Sequence, residues 1–194
     1  MNSELPQNHD DRVKRFLENH KNDWKDLNIS GAEGKVLYDL ILMNEYREAL
    51  EIGTSTGHSG IWIAWALSKT GGKLITIEIS EQRYRKAVNN FQEAGLADFI
   101  DVNLGDGHKL VPDLEGPFDF VFCDADKMWY KNYLVGTLPK IRADGCFTAH
   151  NVLDHGMGGI KEFLEHLESM SHIETVIDDS SRSGISISYK RAAK

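Results

Sequence analysis

From Ala49 to Leu67 the chain runs from a short apolar segment through two glycines into a second, longer apolar segment, and few folds accept that order. Ala49-Leu50-Glu51-Ile52 suits a buried strand, Gly53 and Gly57 bracket a tight turn, and Ile61-Trp62-Ile63-Ala64-Trp65-Ala66-Leu67 suits a buried helix starting near Ser59. A turn that brings main-chain N–H groups toward a ligand needs positive φ or close approach, and a Cβ obstructs both. The helix N-terminus adds oriented dipoles at the same place. Downstream, strand patterns at Lys73–Ile79, Ile100–Leu104, Phe118–Cys123 and Cys146–Ala149 alternate with helical patterns at Glu81–Ala94, Tyr130–Leu138 and Gly159–Met170. That alternation predicts an α/β fold, a mostly parallel sheet with helices on both faces. Two final strands, Ile173–Ile177 and Ile185–Tyr189, are joined by a linker too short for a helical crossover, which predicts an antiparallel end.

Gly53, Glu78, Asp106, Asp124 and Asn151 each fall just past the end of successive strands, the edge where open α/β sheets bind ligands. The glycines read G-x-x-x-G, without the G-x-G-x-x-G of a dinucleotide site or the lysine of a phosphate loop. A ligand without a diphosphate is favoured, and S-adenosylmethionine fits. Glu78 lies 25 residues after Gly53, close to the ~20 at which such sheets carry a ribose-binding acid. Its two oxygens suit two vicinal hydroxyls.

With 194 residues and a net charge of −8, the chain suits a small-molecule substrate better than a phosphate backbone. No apolar run reaches the ~20 residues of a membrane span. Met1-Asn2-Ser3-Glu4-Leu5-Pro6 has no secretory pattern, and Cys123 and Cys146 sit in apolar strands as reduced thiols do, so a cytoplasmic location is expected. Residues 1–30, with apolar positions Val13, Phe16, Leu17, Trp24 and Leu27, form one helix or two before the main domain at 31–194. Ser30-Gly31-Ala32-Glu33 has the spacing of a capping box.

Several stretches together resemble the small S-adenosylmethionine-dependent O-methyltransferases of the catechol and caffeoyl-CoA group and their bacterial relatives. They are Glu51-Ile52-Gly53-Thr54-Ser55-Thr56-Gly57-His58-Ser59, Ile77-Glu78-Ile79, Phe118 to Asp124-Ala125-Asp126-Lys127, and Ser183 to Lys190. The resemblance implies a Rossmann-like, seven-stranded sheet of order 3-2-1-4-5-7-6 with the last strand antiparallel, and methyl transfer to a hydroxyl of a small, aromatic acceptor. It places Glu51, Gly53, Thr54 and Ser59 at the methionine end of the cofactor and Glu78 and Ile79 at the ribose. Asp106 and Gly107 fall at the adenine, Asp124 between cofactor and metal, and Lys127 beside the acceptor hydroxyl. The caffeoyl-CoA branch further implies a homodimer and the catechol branch a monomer, and a homodimer is the expectation here.

In that group a divalent ion is held by the first aspartate and by an Asp-Asn pair after the next strand, whereas this chain has His150-Asn151. Asp124, His150 and Asn151 then carry one formal negative charge instead of two, which suits Zn²⁺, Fe²⁺ or Co²⁺ better than Mg²⁺. His150 stays open between metal ligand, general base and structural residue. Met128, Trp129 and Tyr130 are candidates for an acceptor wall or for core packing, and His108, His155 and Asp126 lie nearby without an assigned role. Modification of a hydroxylated tRNA base, cofactor binding without catalysis, and nicotinamide-dependent oxidoreduction are the competing functions.

Overall fold

The computed structural model describes residues 5–154, 156 and 158–191, with side chains from residue 9 onward; His155 lies outside the described residues. The elements are α1 (Leu5–Asn19), α2 (Gly31–Met43), β1 (Glu48–Ile52), α3 (His58–Thr70), β2 (Lys73–Glu78), α4 (Glu81–Ala94), β3 (Ile100–Leu104), α5 (Gly107–Asp113), β4 (Phe118–Cys123), α6 (Tyr130–Thr137), β5 (Ile141–His150), α7 (Ile160–Glu168), β6 (Ile173–Asp178) and β7 (Ile185–Lys190). The seven strands make one sheet of order β3-β2-β1-β4-β5-β7-β6. β1 to β5 run parallel and β7 is antiparallel to both of its neighbours, as the short final linker predicts.

β4 lies at the centre and every one of its residues is buried, which is why it reads as a near-continuous apolar run. Its one polar residue, Asp119, is spent on assembly: the carboxylate accepts from the Arg47 and Glu48 amides at 2.8 and 3.0 Å and from Arg142 Nη1 at 2.9 Å. One side of the sheet packs Leu50, Val121 and Phe147 against α6 and α7 through Tyr130, Leu134 and Phe163. Another core joins Phe120 and Phe122 to Leu37 and Ile41 of α2 and Ile63 and Leu67 of α3. α1 belongs to the packed body, because Val13 and Phe16 are buried among Ile61, Trp65, Ala87 and Phe91.

The structure departs from the sequence reading in three places. α1 stops at Asn19, so Trp24 and Leu27 lie on a loop where the reading expects helix. α5 is a two-turn helix with Pro112 inside it, too short to leave a periodic signature. β5 begins at Ile141, five residues before the expected start, because Arg142, Ala143 and Asp144 are exposed and Asp144 adopts a left-handed φ of 62° beside a register shift against β4.

Gly53, with φ 101°, lets the chain leave β1 so closely against β4 that a Cβ there would collide with the Asp124 carbonyl. Gly71, with φ 75°, ends α3 facing open space. Urea unfolding should therefore separate strain from collision. Gly71→Ala is expected to lose about 1 kcal/mol, and Gly53→Ala about 3 kcal/mol; equal losses would contradict the difference.

Candidate active site at the carboxyl edge of the sheet

A cavity of about 990 Å³ opens over the carboxyl ends of the parallel strands, within the size range of small-molecule sites. Gly53, Glu78, Ile79, Asp106 and Gly107 line one part of it, and Asp124, Lys127, His150 and Asn151 another. Glu51, Thr54 and Ser59 do not line it; all three are buried beneath the turn. Thr76 Oγ1 donates to Glu51 Oε2 at 2.6 Å and lies 2.5 Å from Thr54 Oγ1, so these side chains lock β1 to β2. Burial pushes the Glu51 carboxyl up to about 8, leaving it a neutral core group at pH 7.

The turn uses its amides locally. Gly53 N and Thr54 N both donate to Ile77 O at 3.1 Å, and His58 N faces Asn28 Oδ1 at 3.4 Å. The opening of α3 is thus capped by Asn28, where the sequence predicted amides and dipoles aimed at a ligand. Ser55 N donates to Glu78 Oε2 at 2.7 Å and Ser80 N to Oε1 at 2.8 Å. Each carboxylate oxygen is pinned at the cavity wall and keeps a lone pair for a ligand hydroxyl.

Trp24, Leu27, Asn28 and Ile29 also line the cavity, from a loop between α1 and α2 where the sequence reading expects helix. This loop is strapped across the turn: Ser55 Oγ donates to Asp26 O at 2.6 Å, Asn28 Nδ2 to Thr56 Oγ1 at 2.9 Å, and Arg83 to both Asp26 carboxylate oxygens at 3.0 and 3.1 Å. Of the other candidates, His108 and Asp126 line the cavity, whereas Met128, Trp129 and Tyr130 do not. Trp129 stacks on His108 with 3.8 Å between ring centroids, and Tyr130 is core, its hydroxyl donating to His150 O at 3.1 Å.

The polar end of the cavity is a chain of alternating charges. Lys127 Nζ donates to Asp124 Oδ1 at 2.6 Å; Asp124 Oδ2 lies 3.1 Å from His150 Nδ1; His150 Nε2 lies 2.9 Å from Glu33 Oε1. Glu33 Oε1 also accepts from Ser181 Oγ at 2.6 Å, and Oε2 from the Ser30 amide at 2.7 Å, completing the capping box of α2. Burial alone would neutralise His150, but the two carboxylates beside it hold its pKa up to about 9, so the ring is an imidazolium at neutral pH. Burial likewise disfavours the charge on Glu33 and Asp124. Hydrogen bonds from His150 and Ser181 nevertheless hold Glu33 far below the usual carboxylate range, and His150 and Lys127 hold Asp124 below it. Glu33 and Ser181 were missed by sequence reasoning. The capping box was legible, but its glutamate reaches a histidine 117 positions away.

As arranged, the three expected ligands do not fit a divalent ion. Both oxygens of Asp124 face cations and both nitrogens of His150 face carboxylates, which leaves Asn151 alone at the cavity wall, too few donors to hold one. Among the described residues no group of three or more His, Cys, Asp or Glu side chains is arranged to hold a metal. Nor does any helix of the described residues have the length and apolarity to cross a membrane.

Residues 7–177 match the family model described as O-methyltransferase. The chain is 35% identical over 134 residues to a catechol O-methyltransferase of Niastella koreensis, covering 67% of this chain and 60% of that protein. It is 32% identical over 141 residues to caffeoyl-CoA O-methyltransferase 1 of Eucalyptus globulus, covering 70% and 57%. The chain thus spans less than two thirds of the length of these curated relatives. Among solved structures, the O-methyltransferase TomG of Streptomyces achromogenes, crystallised with S-adenosylmethionine, superposes with a TM-score of 0.79 at 28% identity, over 93% of this chain and 90% of that one.

The charge chain has a sign that stability measurements can read. His150 is raised from 6.5 to about 9 on folding, so its contribution is complete below pH 6.5 and is lost as pH rises through 9. Glu33 is lowered from 4.5, so its contribution is present above that pH and is lost on acidification. Glu51 titrates on the alkaline side in any variant, so the difference between proteins isolates the histidine. Between pH 6.5 and 9 the wild type should lose on the order of 3 kcal/mol more than His150→Gln does, as read by urea unfolding. Parallel curves would refute the imidazolium.

Proposed function

The chain belongs to the O-methyltransferase family, and on that premise we propose that it transfers a methyl group from S-adenosylmethionine to a hydroxyl of a small phenolic acceptor. One observation carries the reading. A single cavity has, at one part of its wall, a carboxylate pinned by two amides with lone pairs to spare and, at another, a lysine–aspartate pair. When bound, S-adenosylmethionine supplies a methyl carbon made electrophilic by its sulfonium. Glu78 accepts hydrogen bonds from the ribose hydroxyls, and the narrow wall at Gly53 and at Asp106-Gly107 borders the methionine and adenine ends. Asp124, between the two parts, is a carboxylate suited to a nearby cation.

Methyl transfer needs the acceptor oxygen as an oxyanion or nearly so. Lys127 Nζ is the cation at the acceptor end, and an ammonium beside a phenol of reference pKa about 10 favours the ionised form. The acceptor proton would pass to water, and Lys127 would hold the resulting oxyanion toward the methyl group that bound S-adenosylmethionine would supply, with the thioether as the leaving group. His150 serves through Asp124 and not as a base, since both of its ring nitrogens face carboxylates. Trp24, Leu27 and Ile29 give the cavity an apolar wall and limit water within it. A phenolic acceptor is supported by this wall, by the names of the relatives, and by the charge of −8, which disfavours nucleic acid.

Calorimetry with S-adenosylhomocysteine should give saturable binding to the wild type, and Glu78→Ala should weaken it at least tenfold, about 1.4 kcal/mol. Undiminished affinity in that variant would remove the ribose assignment. With labelled S-adenosylmethionine and a panel of catechols, Lys127→Met should lower kcat about a hundredfold; an unchanged kcat would remove Lys127 from the reaction.

A further inference from the structure

We infer that the imidazolium of His150 takes the place of a divalent cation in this site, and that Glu33, from α2, is the positioning residue that holds it there. The inference deepens the proposed function and rests on it. Asp124 follows β4 and Glu33 opens α2, and the His150 ring lies between these two carboxylates. Its Nδ1 is 3.1 Å from Asp124 and its Nε2 2.9 Å from Glu33. Lys127 donates to Asp124, and the Ser30 amide and Ser181 donate to Glu33, as suits ionised carboxylates; against two such acceptors both ring nitrogens serve as donors, which makes the ring a cation. Its side chain is 7% exposed and that of Glu33 5%, so neither charge has water as an alternative partner.

An ion that approached Asp124 would have to displace either Lys127 or His150. Displacing His150 would leave Glu33 with only Ser30 and Ser181 for its charge. The arrangement also balances: Lys127 and His150 carry two positive charges, Asp124 and Glu33 two negative. A site with a carboxylate at position 150 would instead have three acids around one lysine and would draw in a divalent ion. Glu33 does for the histidine what a metal ligand's outer partners do for the ligand: it fixes the ring's orientation and its protonation.

Two measurements on the full chain, neither of which uses methyl transfer, keep this inference separate from the proposed activity. In the first, Mn²⁺ alone is titrated and followed by electron paramagnetic resonance. The wild type should show no saturable site, and His150→Asp should bind one ion per chain at least tenfold more tightly. A wild-type site abolished by Asp124→Asn would overturn the inference. In the second, which stands even if His150→Asp does not fold, the ring nitrogens of His150 are read by ¹⁵N nuclear magnetic resonance at pH 7.5. Both should appear protonated in the wild type, and in Glu33→Gln one should lose its proton. A bare nitrogen in the wild type, or an unchanged ring in Glu33→Gln, would overturn it.

Discussion

The end of the cavity that faces the acceptor depends on a problem of desolvation. Asp124 and Glu33 are carboxylates removed from water, and a buried carboxylate is tolerated only beside a cation that also hydrogen-bonds it. One imidazolium meets the need of both. It does so because it is the smallest side-chain cation with two donors pointing in opposite directions. That link runs from the opening of α2 to the end of β4 through the last residue of β5. It joins elements that are far apart in sequence and fixes the acceptor end of the cavity relative to the sheet.

The sheet supplies the rest of the positioning. The parallel strands deliver their carboxyl ends to one edge, so the loops after β1 to β5 converge there. The Gly53 turn contributes by its thinness. Its amides go to Ile77 and its neighbour Ser55 to Glu78, so the turn shapes the wall and orients a carboxylate. Glu51, Thr54 and Thr76 lie under the same turn as a hydrogen-bonded floor.

What the sequence revealed was local or periodic. The alternation of strands and helices, the antiparallel last pair, the glycine turn and the strand-end positions of Glu78, Asp106 and Asp124 follow from patterns a few residues wide, whereas the order of the strands comes from the resemblance. Where the reading fell short, the cause was contact across the chain. Glu33 is legible as a helix cap but not as the partner of His150, because nothing near residue 33 announces residue 150. The loop at 24–29 lines the cavity through Trp24, Leu27 and Ile29; the spacing of Trp24 and Leu27 fits a helical stripe, but α1 ends at Asn19 and contacts across the glycine turn hold the chain as a loop. Glu51 and Ser59 sit in the motif that carries the resemblance, yet the backbone turns them inward. Membership of a motif did not decide which side chains reach the cavity.

The strap over the glycine turn has a kinetic consequence. Its outer fastening is the Asp26–Arg83 ion pair, in which the aspartate side chain is 53% exposed, and its inner fastenings are two uncharged hydrogen bonds. An exposed pair of that kind weakens as counterions accumulate, while the neutral bonds hardly change. Ionic strength therefore acts on the roof of the cavity more than on its floor. A roof fastened less firmly speeds entry and release alike.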